Sequence, residues 1–291
     1  MTVGVTPAAA PHAVVRPAGQ ALSIAAALML CLVAQFALIG ALAHNRDQDR
    51  AYDTFRDQLA NATAPAGGLD RDGHPLELGT PVAVLAIPRI GLREVVGEGS
   101  SATVLKSGPG HRRDTVLPGQ PGVSVVMGRR AGYGGPFADL RSLAHGDLIT
   151  VTTGQGKHQF EVMGVRHAND PQPLAPAKGQ GRLTLITADG PPYLPSDVLR
   201  VDARLLTPAV PAAGAVPGFA LPAREQALEG DATALVPLVV WGLLLALAAA
   251  GVVFVHQRVG RWHAWVIGVP VLGALGVTVA DQAASLLPNL L

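Results

Sequence analysis

Side chains able to do covalent or acid–base chemistry are few and scattered in this chain. The one cysteine, Cys31, lies inside an apolar run, so no intramolecular disulfide, cysteine cluster or exposed thiolate can form, and thiol chemistry outside a membrane is excluded. His111 and His158 could be imagined as bases. His111 falls in a turn-like Gly-Pro-Gly-His stretch and His158 at a strand start, so both are expected at the surface. Asp147, Asp189 and Asp202 are too dispersed for a metal site, and no His-x-x-x-His or paired-carboxylate pattern accompanies them. Gly128, Gly132, Gly134 and Gly135 do not join a strand to a helix in the dinucleotide pattern and are expected to loosen a loop. Neither a metal nor a cofactor is expected.

The elements that must position any site fall into membrane and globular parts. Nearly half of the 291 residues are hydrophobic (49%) and only 15% are charged, which points away from an ordinary soluble domain. Lys+Arg 22 against Asp+Glu 21 leaves no basic field to gather phosphates, so nucleic acid is not an expected partner. Residues 21–43 carry no charge and reach the roughly 20 residues a helix needs to cross the hydrocarbon core, longer than the apolar stretch of a cleaved signal. A second uncharged run spans about 233–256 and a third, interrupted by Gly268, Pro270, Gly273 and Gly276, about 264–281. Between them Arg258 and Arg261 mark a cytoplasmic turn, residues 257–263, by the positive-inside rule. Three spans at the plasma membrane follow, with residues 1–20 cytoplasmic, the region between the first two spans outside, and 282–291 a tail.

Residues 44–78 are expected to form a juxtamembrane stalk and linker, with Tyr52, Phe55 and Leu59 at helical spacing. From 79 to 206 short β-rich runs alternate with Gly, Pro and Asp, the pattern of a mainly β barrel or sandwich. Strands are predicted at 82–87, 124–127, 148–153, 158–163, 182–187 and 198–205, and short helices at 102–106 and 136–143. Residues 207–232, dense in Pro, Ala and Gly, read as a linker.

Within the β region, ordered stretches resemble sortases, most closely the class E type of high-GC Gram-positive bacteria. They are Ile87-Pro88-Arg89-Ile90-Gly91-Leu92, Val95-Val96-Gly97-Glu98-Gly99-Ser100, Gly108-Pro109-Gly110-His111, Pro118-Gly119-Gln120-Pro121-Gly122, Tyr133-Gly134-Gly135-Pro136-Phe137 and Arg182-Leu183-Thr184-Leu185-Ile186-Thr187. The resemblance covers roughly residues 81–206 and implies an eight-stranded sortase-like β-barrel with short helices, beside the three transmembrane α-helices.

The same resemblance places three functional positions. The histidine slot holds Arg129, the cysteine slot after Thr187 holds Ala188, and the arginine slot is kept as Arg200. A methyl group cannot attack a carbonyl, and a guanidinium cannot exchange protons near neutral pH, so no transpeptidation is expected. Thr187 is a poor substitute nucleophile, because strand alternation turns it away from Ala188. Asp189 is expected to pair with Arg129 or Arg200; unpaired, the two arginines would suit a carboxylate in the groove. The reading that follows is a non-catalytic, membrane-anchored sortase homologue binding a sorting-signal-like peptide, a cell-wall component or a surface protein. Two alternatives stand beside it: a hydrolase or acyl transferase with relocated chemistry, and a structural membrane subunit.

Overall fold

The structure is a computed structural model that describes residues 26, 29–70, 72–191, 193–258 and 260–291. The expected cytoplasmic tail, 1–20, and residues 21–25, 27 and 28 of the expected first span lie outside these. The chain divides into two compact units. One holds the described residues up to Gln35 together with those of Val240–Asp281, and the other holds those of Phe36–Val239 together with Gln282–Leu291.

The larger unit is built on a closed eight-stranded barrel: β1 Pro81–Ile87, β2 Leu92–Glu98, β3 Gly110–His111, β4 Gly122–Met127, β5 Leu148–Thr153, β6 Gly156–Arg166, β7 Gly181–Asp189 and β8 Asp197–Leu205. Neighbours run in the order β1-β2-β3-β4-β7-β8-β6-β5, with β5 closing on β1. The β2–β3 and β4–β7 pairs are parallel and the others antiparallel. Closure removes the sheet edges that would otherwise pair with other chains. Val82, Leu85, Val126, Ile149, Phe160, Leu183, Leu185 and Val201 fill the interior, each 1% exposed or less. Side chains of this size contribute about 1.5–3 kcal/mol apiece on full burial.

Two strands went unpredicted. Leu92–Glu98 carries Arg93, Glu94 and Gly97 among its apolar residues, which blurs its alternation, and β3 has only two residues. The predicted helix at 136–143 is reduced to a 3-10 turn, Leu140–Ser142. Its sequence is held instead by turn hydrogen bonds such as Ser142 N–H to Asp139 O.

The expected stalk is a docked element. Residues 29–34 are helical, Gln35–Ile39 make a π turn, and helix α1 runs over Gly40–Ala60. Phe55 is buried, Tyr52 takes a hydrogen bond from Arg93 (2.8 Å), and His44 meets Glu94 at 3.1 Å. Because β3 stops short beside β2, the Val95 peptide has no strand partner on that side. Gln48 replaces one, accepting from Val95 N–H (2.7 Å) and donating to Val95 O (3.1 Å). Helix α2 (Ala102–Ser107) follows β2, and Gln48 also donates to Ser107 O.

Residues 207–232 are likewise more than a linker. Val216 N–H donates to Arg113 O, and the fully buried Glu225 carboxylate receives two hydrogen bonds from Arg113, at 3.0 and 2.5 Å.

Among the described residues two helices, rather than three, are long and apolar enough to cross a membrane: Ala232–His256 and Trp262–Leu286. They correspond to α3 (Leu235–Arg258) and α4 (Arg261–Leu286), so the expected 257–263 turn narrows to a break near Gly260. In the smaller unit Gly268 lies against Val252, where an added β-carbon would come 2.8 Å from Cγ1, and Gly276 lies against Cys31, where it would come 3.1 Å from Sγ. The lone thiol is therefore packed in that unit.

Candidate functional site

Strand alternation decides which side chains share a face. On β7, Leu183 and Leu185 point into the barrel, while Ile186 and Ala188 belong to a second apolar cluster on its outer face. On β8, Leu199 and Val201 point inward; Val198, opposite Ala188, and Arg200, opposite Ile186, point outward. On β4, Val126 is inside and Val125 and Met127 are outside. Arg129 lies two residues beyond Met127, and Gly128 N–H donates to Ile186 O at 3.0 Å, continuing the β4–β7 ladder. Arg129, Ala188 and Arg200 are thus brought to one outer face of β4, β7 and β8.

Gly128 sets the chain's path there. A β-carbon at this position would fall 2.5 Å from the ring of Phe137, which is fully buried and cannot retreat. Arg129 follows with no exposed surface. Its guanidinium donates to the backbone oxygens of Leu291 (3.1 Å) and Ala102 (3.5 Å), and lies 4.9 Å from the centroid of the Tyr133 ring. Tyr133 takes a positive φ of 44° and packs edge-on against Phe36. The aromatic face thereby shares in neutralising a buried cation.

Ala188 is buried, 3% exposed. Thr187 points to the opposite side and donates its hydroxyl to Gly128 O at 2.9 Å, so its oxygen is committed to structure. Asp189 does not pair with Arg129 or Arg200, contrary to expectation. It is bound instead by Arg141 and by His167 Nδ1 (2.5 Å). Burial pushes the Asp189 carboxyl up, but hydrogen bonds from His167, Gly190 N–H and Arg141 outweigh it and hold the group below the ordinary aspartate value. Arg200 is half-buried, opposite Arg166. Burial and the Arg166 charge both lower its pKa, against the pull of Asp197 and Asp202. Asp202 itself is engaged by Arg166 (2.5 Å) and Thr184 (2.8 Å).

Both histidines expected at the surface are buried. His111, fully buried, places Nδ1 2.8 Å from Glu98 and Nε2 3.0 Å from Val116 O. Two facing acceptors commit the ring to structure rather than catalysis. His158, 3% exposed, packs against Gly119 and meets Thr153 Oγ1 at 3.3 Å. Burial lowers its pKa. The unfolded chain then takes up the proton first, so the His158 contribution to stability is complete above the ordinary value of about 6.5 and is lost as pH falls below it. The thermal midpoint should drop between pH 7.5 and 5.5, and His158→Gln should flatten that drop; an unchanged pH profile in the variant would refute the assignment.

The carboxylates Asp147, Asp189 and Asp202 are not brought together. Asp147 accepts from Ala144 N–H at 2.8 Å, and the other two serve the ion pairs above. Among the described residues, Asp70, Asp72 and His74 place possible ligand atoms within 4.8 Å of one another, all exposed. Asp70 Oδ1 there already caps the N–H groups of Asp72 and His74.

Residues 85–207 match the family model described as the sortase domain. This segment is a sortase domain. The solved structures similar to the chain include a Clostridium perfringens sortase D5 transpeptidase, 21% identical, covering 56% of this chain and 99% of that one at a TM-score of 0.46. Sortase C of Clostridium perfringens, solved with a C-terminal cell wall sorting motif, is 21% identical and covers 56% and 89% at 0.42. Sortase E of Streptomyces avermitilis is 29% identical and covers 52% and 100% at 0.39. No curated protein matches the chain.

Around the sortase domain's outer face, the contact of Tyr133 with Arg129 and the cover by residues after α4 are not foretold by the motifs. Leu290, fully buried, belongs to the same apolar cluster as Ala188, Ile186, Met127 and Leu105. The available signal was that consecutive apolar residues, Val125-Val126-Met127 on β4 and Leu185-Ile186 on β7, put apolar side chains on both faces, which requires both to be covered.

Proposed function

We propose that this chain is a membrane-anchored sortase-domain protein that has lost transpeptidation and binds an extended peptide on the outer face of β4, β7 and β8. The observation that carries the reading is chemical. Ala188, standing where the family resemblance sets the nucleophile, offers a methyl group, and residues 79–206 contain no cysteine to replace it. Arg129, in the proton-transfer position, is buried among backbone oxygens and an aromatic ring. Thr187, His111 and His158 are each committed elsewhere. Arg200, half-buried and with no side-chain hydrogen bond among the described residues, is left as the group to orient a peptide carbonyl or carboxylate. The two apolar helices would anchor the chain, with the Arg258–Arg261 break on the cytoplasmic side and the barrel outside. Peptides of the sorting-signal class are the ligands this reading favours.

The test incubates the whole chain, in detergent micelles, with sorting-signal peptides and an amine acceptor beside an active sortase. Mass spectrometry is expected to find the peptides intact with this chain, and cleaved or transferred peptide would overturn the reading. Arg200→Ala is expected to weaken peptide capture about tenfold or more, the loss of one charge-assisted contact, without changing the melting profile. Unchanged capture would remove Arg200 from the site.

A further inference from the structure

The outer face of β4, β7 and β8 is already covered, and the cover is a segment of the same chain. After α4 ends at Leu286, Pro288–Leu291 turns across this face. Leu290 enters the apolar cluster made by Leu105, Val125, Met127, Ile186, Ala188 and Val198. The backbone from Leu290 onward is bonded in place, Arg130 N–H donating to Leu290 O (3.0 Å) and Arg129 to Leu291 O (3.1 Å). Asn289 locks the register: its N–H donates to Glu229 O, and its side-chain amide, fully buried, donates to Ser100 O (2.9 Å) and Gln226 O (2.8 Å). The segment itself is turned, Leu291 N–H donating to Pro288 O (3.1 Å); apolar burial of one anchor, backbone hydrogen bonds around it and one register-fixing amide are elements by which a groove holds a peptide.

We propose that residues 287–291 are an intramolecular ligand of this face, and that any peptide captured there carries a leucine-like anchor and must displace them. This deepens the peptide-binding reading and rests on it. A protein whose binding-competent state is populated only in the fraction of time the segment is out binds more weakly by that fraction. The segment therefore sets the threshold for capture.

Two measurements on the whole chain test it. The first places a thiol at position 290 (Leu290→Cys with Cys31→Ser) and follows its modification by a maleimide. Slow labelling, accelerated by an excess of the peptide Ser-Leu-Leu-Pro-Asn-Leu-Leu, which copies 285–291, is expected; labelling as fast as in denaturant would overturn the proposal. The second measures binding of the same fluorescent peptide to the chain with and without residues 287–291. The shortened chain is expected to bind at least about tenfold more tightly, as a mostly closed state predicts. Equal affinity, or no binding by a shortened chain that melts like the native one, would also overturn it. If the shortened chain fails to fold, the thiol measurement decides. Fast labelling at 290 combined with Arg200-dependent capture of sorting-signal peptides would remove the intramolecular ligand while leaving the peptide-binding reading intact.

Discussion

Replacing Arg129 with alanine is expected to cost the barrel unit about 3–5 kcal/mol. The guanidinium has no exposed surface and donates to two backbone oxygens, of Leu291 and Ala102. The Leu291 oxygen left buried without this donor costs about 1–3 kcal/mol, and the emptied volume adds a cavity penalty. Loss of the Tyr133 contact adds roughly a further 1–2 kcal/mol at a desolvated site. Arg129→Met fills much of the volume but removes the same donor from the Leu291 oxygen, so it is expected to fall between alanine and the native chain. Thermal unfolding in one detergent, compared among the three proteins, checks the ranking. Equal midpoints would mean that Arg129 holds nothing in place, and the account of the 288–291 segment would lose its main polar anchor.

The second large effect is expected 16 residues earlier, at Arg113. Glu225 is fully buried, and Arg113 supplies two hydrogen bonds to its carboxylate. That hydrogen bond, set against burial and aided by the Glu225 and Glu98 charges, raises the Arg113 pKa. Arg113→Ala leaves a buried carboxylate uncompensated, a change that typically costs about 3–5 kcal/mol. Removing both charges, as Arg113→Leu with Glu225→Leu, is expected to recover most of the loss, because two desolvated charges are then no longer required. The same double variant should keep the 223–225 turn in place, and with it the Ser100 hydroxyl bond to Glu225 O (2.5 Å). A double variant no more stable than Arg113→Ala would show that the turn is held by the charges themselves.

Much of the barrel was legible because strand physics is local. Six of the eight strands were predicted from alternating or continuous apolar runs, and the observed elements extend most of these by a few residues: β6 runs to Arg166 and β7 to Asp189. The misses also have local causes. β2 mixes charged residues into its alternation, while β3 is too short to leave a pattern. The candidate site was legible only in the residue types at its three positions. That Arg129, Ala188 and Arg200 share a face follows from register once β4, β7 and β8 are known to be neighbours, and that adjacency is a matter of topology.

By itself the sequence determined what this protein lacks and where its apolar mass lies. A chain with one cysteine, at position 31 in an apolar run, cannot place a thiolate in its sortase domain, and runs of about 20 uncharged residues can only be buried or placed in lipid. Tertiary structure alone decided the partners. Asp189 chose Arg141 and His167 over the arginines beside it in the motif. His111 and His158 were buried by residues whose approach no local pattern foretells. The cover of the outer face came from Leu290 and Leu291, 161 and 162 residues beyond Arg129. The physical reason is that periodicity encodes which face a residue takes, whereas the identity of the group that covers that face depends on contacts closed across the whole chain.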